Sequence, residues 1–332
     1  MGEALQRAWL RRGVAARLLW PLSQIYRWLG SAHRAAYRRG WLQAERLPVP
    51  VVVVGNVVAG GAGKTPAVLA LVEHLRARGI AAGIVSRGYG RTSGDCTEVQ
   101  PDDSPQRVGD EPVLLRQKAG VPVFVAARRT EACRALLAAH PETRVIVSDD
   151  GLQHHAMARD IEICVFDRRG VGNGWLLPAG PLRERWPRPV DLVLRHPEAN
   201  GLAGHRMARM LGANVVRADG TRMPLAELFD RPLEVVAGVA NPQAFFSMLR
   251  EAGLLLARTR PLPDHHPFDD PLEFADHTLT LVCTEKDAVK LWRLRPDAWA
   301  VPLELRIDEA FWRSFDRLLD AKLSSAHGHQ AH

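Results

Sequence analysis

A glycine-rich loop between an apolar run and a helical segment is the stretch of this chain best suited to bind phosphate. Four valines at positions 51–54 precede the loop, and Gly63-Lys64-Thr65-Pro66 closes it. Glycines let backbone N–H groups approach phosphate oxygens, and a helix N-terminus adds partial positive charge. Lys64 is placed to reach the β- and γ-phosphates of a nucleotide, and the Thr65 hydroxyl to bind Mg²⁺. The predicted phosphate contacts are Gly60, Gly61, Ala62, Gly63, Lys64, Thr65 and Pro66.

The loop departs from the usual nucleotide-binding pattern at one position. That pattern has glycine five residues before Gly63, where this chain has Val58. The flanking strand and helix nevertheless match the context that the pattern requires. The alternative is a tight strand-to-helix turn that happens to contain a lysine.

Two adjacent acids, Asp149 and Asp150, follow a second apolar run at 145–147, from which they are separated by one serine. Carboxylates at the carboxyl edge of a parallel sheet hold or orient Mg²⁺ in phosphoryl-transfer sites. The alternative is that the pair forms an ordinary turn at the end of a strand. With the phosphate loop upstream, the sequence favours the second half of a nucleotide site.

Two further segments have both structural and chemical interpretations. Asp110 and Glu111 begin a predicted helix, where acids complement the helix dipole, but a carboxylate near a γ-phosphate also accepts the proton of an attacking hydroxyl. The loop 86–91, SRGYGR, has the residues to clamp a phosphate or a sugar and equally those of an ordinary basic loop.

The order of strands and helices predicts an α/β fold. Length and composition fit a globular protein of one large or two ordinary domains, with 332 residues, 46% hydrophobic and 24% charged. We expect a P-loop NTPase-like, mostly parallel sheet with helices on both faces, followed by a smaller α/β domain with strands at 233–240, 254–259, 278–283 and 299–305. The predicted boundaries are 1–45 for basic amphipathic helices, 46–212 for the nucleotide-binding domain, 213–324 for the second domain and 325–332 for a disordered tail.

The basic character of the chain lies at its N-terminus. Residues 1–50 hold nine arginines and two glutamates, so this segment carries a net charge equal to the whole chain's +7. Tryptophan, leucine and arginine alternate there around Pro21, which suits two helices lying on an anionic membrane surface. The alternatives are a helical pair packed on the domain with a solvated arginine face, and nucleic-acid binding. No uncharged run is long enough to span a bilayer, and no signal peptide is expected.

Seven stretches in this order make the chain similar to the tetraacyldisaccharide 4′-kinases of lipid A biosynthesis along nearly its whole length. They are GNVVAGGAGKTP (55–66), SRGYGR (86–91), GDEP (109–112), DDGLQHH (149–155), GNGWLLPAGPLRE (172–184), PDHHPF (263–268) and TEKDAVK (284–290).

The resemblance implies a kinase at the cytoplasmic face of the bacterial inner membrane, with ATP and Mg²⁺ as cofactors and an anionic lipid disaccharide as acceptor. No nucleic acid and no obligate protein partner are expected. The resemblance also implies roles for single residues. These are Asp110 as general base paired with His265 on domain closure, Asp149 and Asp150 on the metal side with Gln153 and Glu184 in support, and Arg87, Tyr89 and Glu111 near the acceptor.

A nucleotide-driven binding module is the alternative function. A metallochaperone GTPase would use the histidines His154, His155, His265 and His266, which lack one clear metal-ligand spacing. The stretch 284–287, TEKD, is similar to the guanine-reading pattern of GTPases, but its lysine falls one position late and no asparagine precedes it. The sequence therefore favours the kinase.

Overall fold

The structure, a computed structural model, describes residues 9, 11–60, 63–92, 94–239, 241–264 and 266–328. The chain divides into two compact units. The first comprises the described residues up to Met207 together with those from Ile307 onward, and the second comprises Ala208–Arg306.

A nine-stranded sheet, mostly parallel, forms the framework of the first unit, and its last two strands, β8 and β15, extend into the stretches where the chain leaves that unit and returns to it. Its order is β15-β8-β7-β6-β1-β5-β2-β4-β3. The valine strand β1 lies inside this sheet, pairs in parallel with β5 and β6, and is buried along its whole length, as an apolar run without alternation predicts. The strands are β1 (Val51–Gly55), β2 (Ala82–Ser86), β3 (Thr97–Glu98), β4 (Val123–Val125), β5 (Val145–Asp149), β6 (Ile161–Phe166), β7 (Leu192–Arg195), β8 (His205–Leu211) and β15 (Leu303–Ile307).

The helices of the first unit connect these strands or precede and follow them. The phosphate-loop helix α2 begins at Lys64, and Pro66 lies in its first turn, where a missing N–H costs nothing. The described helices of this unit are α1 (Val14–Arg38), α2 (Lys64–Ala77), α3 (Pro105–Val108), α4 (Asp110–Ala119), α5 (Arg129–Ala139) and α8 (Glu309–Gly328).

The N-terminal helix α1 differs from the sequence prediction of two helices around Pro21. It continues through Pro21 from Val14 to Arg38. The Ser23 hydroxyl, 1% exposed as a residue, donates to the carbonyl of Trp20 at 2.7 Å in this turn. None of the helices in the described part of the chain is both long and apolar enough to cross a membrane.

The second unit is a smaller α/β body around a six-stranded sheet of order β10-β9-β14-β13-β11-β12. Strands β11 to β14 run parallel, and β9 pairs antiparallel with both β10 and β14. The elements are β9 (Asn214–Val216), β10 (Arg222–Pro224), β11 (Leu233–Ala237), α6 (Pro242–Glu251), β12 (Leu256–Pro261), β13 (Thr280–Thr284), α7 (Glu285–Leu291) and β14 (Trp299–Val301), with 3₁₀ turns at Leu225–Leu228 and Pro271–Phe274.

Three predicted boundaries change in the structure. The predicted strand 299–305 is two strands, β14 and β15, separated at Pro302, whose missing N–H interrupts the ladder. The chain returns to the first unit at Ile307, so residues 307–324 belong to the first unit, whereas the prediction placed them in the second. The predicted disordered tail begins in helix α8, which extends to Gly328, and 329–332 lie outside the described residues.

Candidate active site

The phosphate loop is braced by the later segment 172–184, and this explains the valine at position 58. Val58 is 2% exposed and forms an antiparallel bridge with Leu182. On either side of this bridge, the Ala59 N–H donates to the Pro181 carbonyl at 2.7 Å, and the Arg183 N–H donates to the Val57 carbonyl at 2.7 Å. A buried bridge favours a β-branched side chain where other loops have glycine.

Lys64 is held at the end of β1 beside an asparagine that sequence reasoning missed. Its side chain is 9% exposed, and its Nζ lies 3.4 Å from Asn56 Oδ1 and 3.6 Å from Asp150 Oδ1. Fully buried Asn56 also donates to the carbonyls of Val58 at 2.6 Å and Gly60 at 3.3 Å. The signal in the sequence was a polar residue directly after a buried strand.

The two acids occupy a constrained turn at the carboxyl end of β5. Asp150 has a positive φ of 49°, and its N–H donates to the Val54 carbonyl at 2.8 Å, so the turn is tied to β1. The buried guanidinium of Arg129, at the start of α5, donates to the Asp149 carbonyl at 3.2 Å and to the Asp150 carbonyl at 2.7 Å. Sequence reasoning missed Arg129, because nothing local connects it to a turn twenty residues away.

Asp149 has the features of an incomplete cation site. Its carboxylate is buried, its Oδ2 accepts from the Ser86 hydroxyl at 3.3 Å, and its Oδ1 has no partner among the described residues. Burial, reinforced by the charge of Glu111, raises the pKa of Asp149 to about 7. A buried carboxylate oxygen left without a donor is suited to Mg²⁺, which binds through one or two carboxylates together with substrate phosphates. The residues present therefore fit a Mg²⁺–nucleotide complex.

Asp150 is ionised and engaged by two cations. Burial opposes ionisation, but Lys64 and Arg183 together keep the pKa of Asp150 below its usual value. The Arg183 guanidinium donates to both carboxylate oxygens, at 3.0 and 3.2 Å. Asp150 thus fixes two positive groups beside the phosphate loop.

Gln153 and Glu184, both predicted as supports, lie together. The Gln153 amide donates to the Asn56 carbonyl at 3.1 Å and to Glu184 Oε1 at 2.8 Å. Glu184 is 4% exposed, and its other oxygen lies 3.4 Å from Arg188 Nε. The pair therefore links the residue after β1, Asn56, to the end of the segment 172–184. Across the described residues, no three His, Cys, Asp or Glu side chains form a ready metal cluster.

The predicted acceptor residues and the predicted base lie on two loops in contact. Gly88 has φ +69°, and a Cβ there would lie 2.6 Å from the Val108 carbonyl. Gly109 has φ +98°, and a Cβ there would lie 3.0 Å from the Tyr89 carbonyl. Only glycine permits this approach, which places the SRGYGR loop against the first turn of α4, where Asp110 and Glu111 lie. Arg87 and Tyr89 are exposed, Tyr89 at 90%.

Three predicted site residues lie outside the described residues. They are Gly61 and Ala62 of the phosphate loop and His265, the predicted partner of Asp110. Of the histidines in the alternative metal site, His155 packs against the rings of His33 and Tyr37. Burial and nearby arginines lower the pKa of both His154 and His155 to about 4, so both are neutral at pH 7.

A cavity of about 260 Å³ opens between helix α1 and the segment 172–184. Helix α1 contributes Tyr26, Arg27, His33 and Arg34 to its lining. The rest of the lining includes Gln153, His155, Leu176, Arg183, Glu184 and Arg185. Four arginines around one small space make it suited to an anionic group.

Comparison with known proteins gives one consistent family. The family model for tetraacyldisaccharide-1-P 4′-kinase matches residues 15–322. The chain is 54% identical over 329 residues to a tetraacyldisaccharide 4′-kinase of Acidovorax sp. (strain JS42), covering 98% of this chain and 97% of that one. It is 53% identical over 342 residues to that of Polaromonas naphthalenivorans (strain CJ2), covering 99% of both. A crystal structure of LpxK from Aquifex aeolicus in complex with ATP is similar with a TM-score of 0.80 and 26% identity, covering 92% of this chain and 99% of that one.

Proposed function

The chain belongs to the tetraacyldisaccharide 4′-kinase family, and we propose how its own residues carry out the reaction of that family. It is an ATP-dependent lipid kinase that phosphorylates the 4′-hydroxyl of tetraacyldisaccharide 1-phosphate in lipid A biosynthesis. The family match leaves the metallochaperone alternative without support. The observation that carries the assignment is the convergence of Lys64, Asp149 and Asp150 at one edge of the sheet, with Lys64 Nζ 3.6 Å from Asp150.

The nucleotide is gripped by the loop between β1 and α2. Loop amides and Lys64 bind the β- and γ-phosphates, and Asp150 and Asn56 hold the lysine in place at 3.6 and 3.4 Å. The hydroxyl of Thr65 and the carboxylate of Asp149 would hold Mg²⁺, with Asp150, Gln153 and Glu184 supporting them. An ion held by these residues would supply positive charge against the charge that develops on the transferred phosphoryl group.

Asp110 acts as the general base toward the sugar hydroxyl. It begins α4 in the turn fixed by Gly109 and the SRGYGR loop. Arg87, Tyr89 and Glu111 surround the acceptor from these loops. The pairing of Asp110 with His265 stays a prediction from the family resemblance, since His265 lies outside the described residues.

A substitution at Asp110 tests this role. We expect Asp110→Asn to lower kcat by roughly 100-fold or more, because positioned general bases contribute 10²–10⁴-fold, while the Kd for ATP changes little. Phosphate transfer from radiolabelled ATP to the lipid acceptor in detergent micelles measures kcat, and calorimetry measures the Kd. Asp102→Asn, at an exposed acid eight positions earlier in the chain, is the matched control. Unchanged turnover in Asp110→Asn would remove it from the mechanism.

The acceptor reaches the site from an anionic membrane surface on which helix α1 lies. The helix faces the protein with small residues, Ala16 and Ser23, each 1% exposed. Its large apolar side chains point outward, among them Leu18 at 75% and Trp28 at 73% exposed. These positions form one stripe at helical spacing, Val14, Leu18, Leu22, Ile25, Trp28 and Leu29. An exposed apolar stripe on an arginine-rich helix suits burial in the lipid interface.

The arginine-lined cavity connects this helix to the phosphate loop. Arg183 belongs both to the cavity lining and to the ion pair with Asp150. A phosphate-bearing headgroup that entered the cavity would meet Arg27, Arg34 and Arg185 while its acyl chains remained with the stripe. The cytoplasmic face of the inner membrane, where ATP is available, is the surface that this arrangement fits.

Charge substitution on the stripe tests the membrane proposal. We expect Leu18→Glu with Ile25→Glu to weaken binding to vesicles containing anionic phospholipid by at least tenfold, because both carboxylates would enter the lipid interface. The matched control is Leu255→Glu with Leu272→Glu, two exposed leucines of the second unit. Vesicle sedimentation measures binding. Equal binding by the two double variants would contradict the proposal, whatever the kinase activity in micelles.

A further inference from the structure

The guanidinium of Arg169 lies over the phosphate loop at Gly60. Gly60 has φ +97°, and a Cβ built there would lie 3.4 Å from Arg169 Nη1 and 3.6 Å from Nη2. Arg169 belongs to none of the stretches that carry predicted roles and follows the end of β6. The chain therefore places a fixed cation against its predicted phosphate loop.

Asp167 fixes the direction of this guanidinium. Its Oδ2 accepts from Arg169 Nε at 2.8 Å and lies 2.7 Å from Nη2, while its Oδ1 accepts from the Arg169 N–H at 2.9 Å. The backbone turn is closed by the Gly172 N–H, which donates to the Arg169 carbonyl at 2.9 Å. A half-buried ion pair of this kind adds about 1 kcal/mol or less to stability, so orientation is its main effect.

Strand order separates Arg169 from the reacting end of the nucleotide. Strand β1 lies between β5 and β6. Lys64, Asp149 and Asp150 meet on the β5 side, whereas Arg169 follows β6 on the other side. With its γ-phosphate at the acids, a triphosphate that ran along the loop toward the β6 side would bring its α-phosphate to Arg169.

We propose that Arg169, oriented by Asp167, binds the α-phosphate of ATP. The proposal rests on the kinase function above and adds a residue to the nucleotide site. A guanidinium held in one orientation suits phosphate recognition by paired N–H donors. The α-phosphate is not transferred, so this contact is equal in the ground state and the transition state. Interactions of that kind lower KM without raising kcat.

Nucleotide binding by variants of Arg169 tests the proposal. We expect Arg169→Gln to weaken binding of ATP, ADP and AMP by similar factors of roughly 10- to 100-fold, as expected for one hydrogen-bonded contact to a charged group. Adenosine, which lacks the phosphate, should bind the parent protein and Arg169→Gln with equal affinity. Displacement of a fluorescent ATP analogue measures all four ligands. In turnover, KM for ATP should rise by the same factor while kcat stays within about threefold.

Arg168→Gln is the matched control, because Arg168 is an exposed arginine one position away and its loss changes the net charge equally. It should bind all four ligands as the parent protein does. Loss of ATP binding without loss of ADP and AMP binding would place Arg169 at the γ-phosphate and overturn the assignment. A fall in kcat without a change in nucleotide affinity would also overturn it. Absence of lipid phosphorylation by the parent protein would instead refute the kinase function.

Discussion

At the residue scale, the candidate site is built from polar groups that have too few partners unless a ligand is present. Asp149 is the clearest case, with one oxygen on Ser86 and the other without a partner among the described residues. Burial of an uncompensated carboxylate destabilises a fold. A site that keeps such a carboxylate is therefore less stable without a ligand, and a bound cation would supply the missing partner.

The pH dependence of stability follows from this carboxylate. The pKa of Asp149 is raised to about 7, so the folded protein holds this proton more tightly than the unfolded chain. Its contribution to stability is present below the ordinary pKa near 3.8 and is lost as the pH rises through 7. We therefore expect Asp149→Asn to raise the Tm of the ligand-free protein at pH 8, by about 2–4 °C per kcal/mol of relieved burial.

Thermal unfolding of both proteins at pH 5 to 8 measures this effect. The Tm difference should shrink toward pH 5, where Asp149 in the parent protein is protonated. With MgATP present the order should reverse at pH 8, because only the carboxylate completes the cation site. Parallel Tm curves for the two proteins across this range would contradict a raised pKa for Asp149 in the folded protein.

At the element scale, the sequence predicted what local patterns encode. The valine strand, the phosphate-loop helix and the strand ending in the acid pair are confirmed as β1, α2 and β5. Their signals lie within a few residues of one another. Arg129 escaped prediction because its role depends on carbonyls about twenty residues away, which no local pattern records. Asn56 was missed although its contacts are local, to the carbonyls of Val58 and Gly60.

The sequence also did not predict that α1 continues through Pro21. Proline in a helix interior removes one hydrogen bond, and this usually predicts a break or kink. Here the face around Ala16 and Ser23 packs on the protein on both sides of Pro21, so tertiary contact overrides the local preference. The result is one apolar stripe rather than two short ones.

The N-terminal segment also braces the loop 172–184. Trp9 is 3% exposed, its Nε1 donates to the Pro178 carbonyl at 2.9 Å, and its carbonyl accepts from the Asn173 N–H at 2.8 Å. The Arg12 Nε donates to the Asn173 carbonyl at 3.0 Å. Because the other end of this loop is bridged to Val57–Ala59 of the phosphate loop, the N-terminal segment supports the nucleotide site indirectly.

Removing this tryptophan should weaken both fold and nucleotide binding. We expect Trp9→Ala to lower the free energy of unfolding by about 3–5 kcal/mol, as for other large-to-small core substitutions, and to raise the Kd for ATP. Trp41→Ala, in the same segment but 72% exposed, is the matched control and should change neither. Denaturant unfolding and calorimetry give the two quantities. If Trp9→Ala were destabilised but bound ATP with unchanged affinity, the N-terminal segment would not support the nucleotide site.

At the scale of the whole molecule, the chain leaves the first unit after Met207 and returns at Ile307. The predicted boundaries 46–212 and 213–324 missed the return. Helix α8 is amphipathic, and its apolar spacing fits either unit equally well from sequence alone. Only its partners assign it to the first unit. The Trp312 ring stacks on the ring of His74 in α2 at 4.3 Å, and Asp316 accepts at 2.7 Å from Arg78, the residue directly after α2.

Helix α8 therefore completes the nucleotide-binding unit from the far end of the chain, and this gives a prediction that separates the two boundary assignments. Phe311 and Phe315 are fully buried on this helix. Replacing either by alanine should cost about 3–5 kcal/mol and lower the Tm of the ATP-bound protein, since the helix α2 that begins at Lys64 loses its support. Arg313→Ala, on the exposed face of α8, should leave the Tm unchanged.

If α8 belonged to the second unit, as the sequence predicts, the phenylalanine variants would unfold that unit while ATP still protected the first. An ATP-dependent transition that keeps its midpoint in Phe315→Ala would therefore restore the original boundary, whereas a lowered midpoint confirms that the first unit is closed by the C-terminal helix.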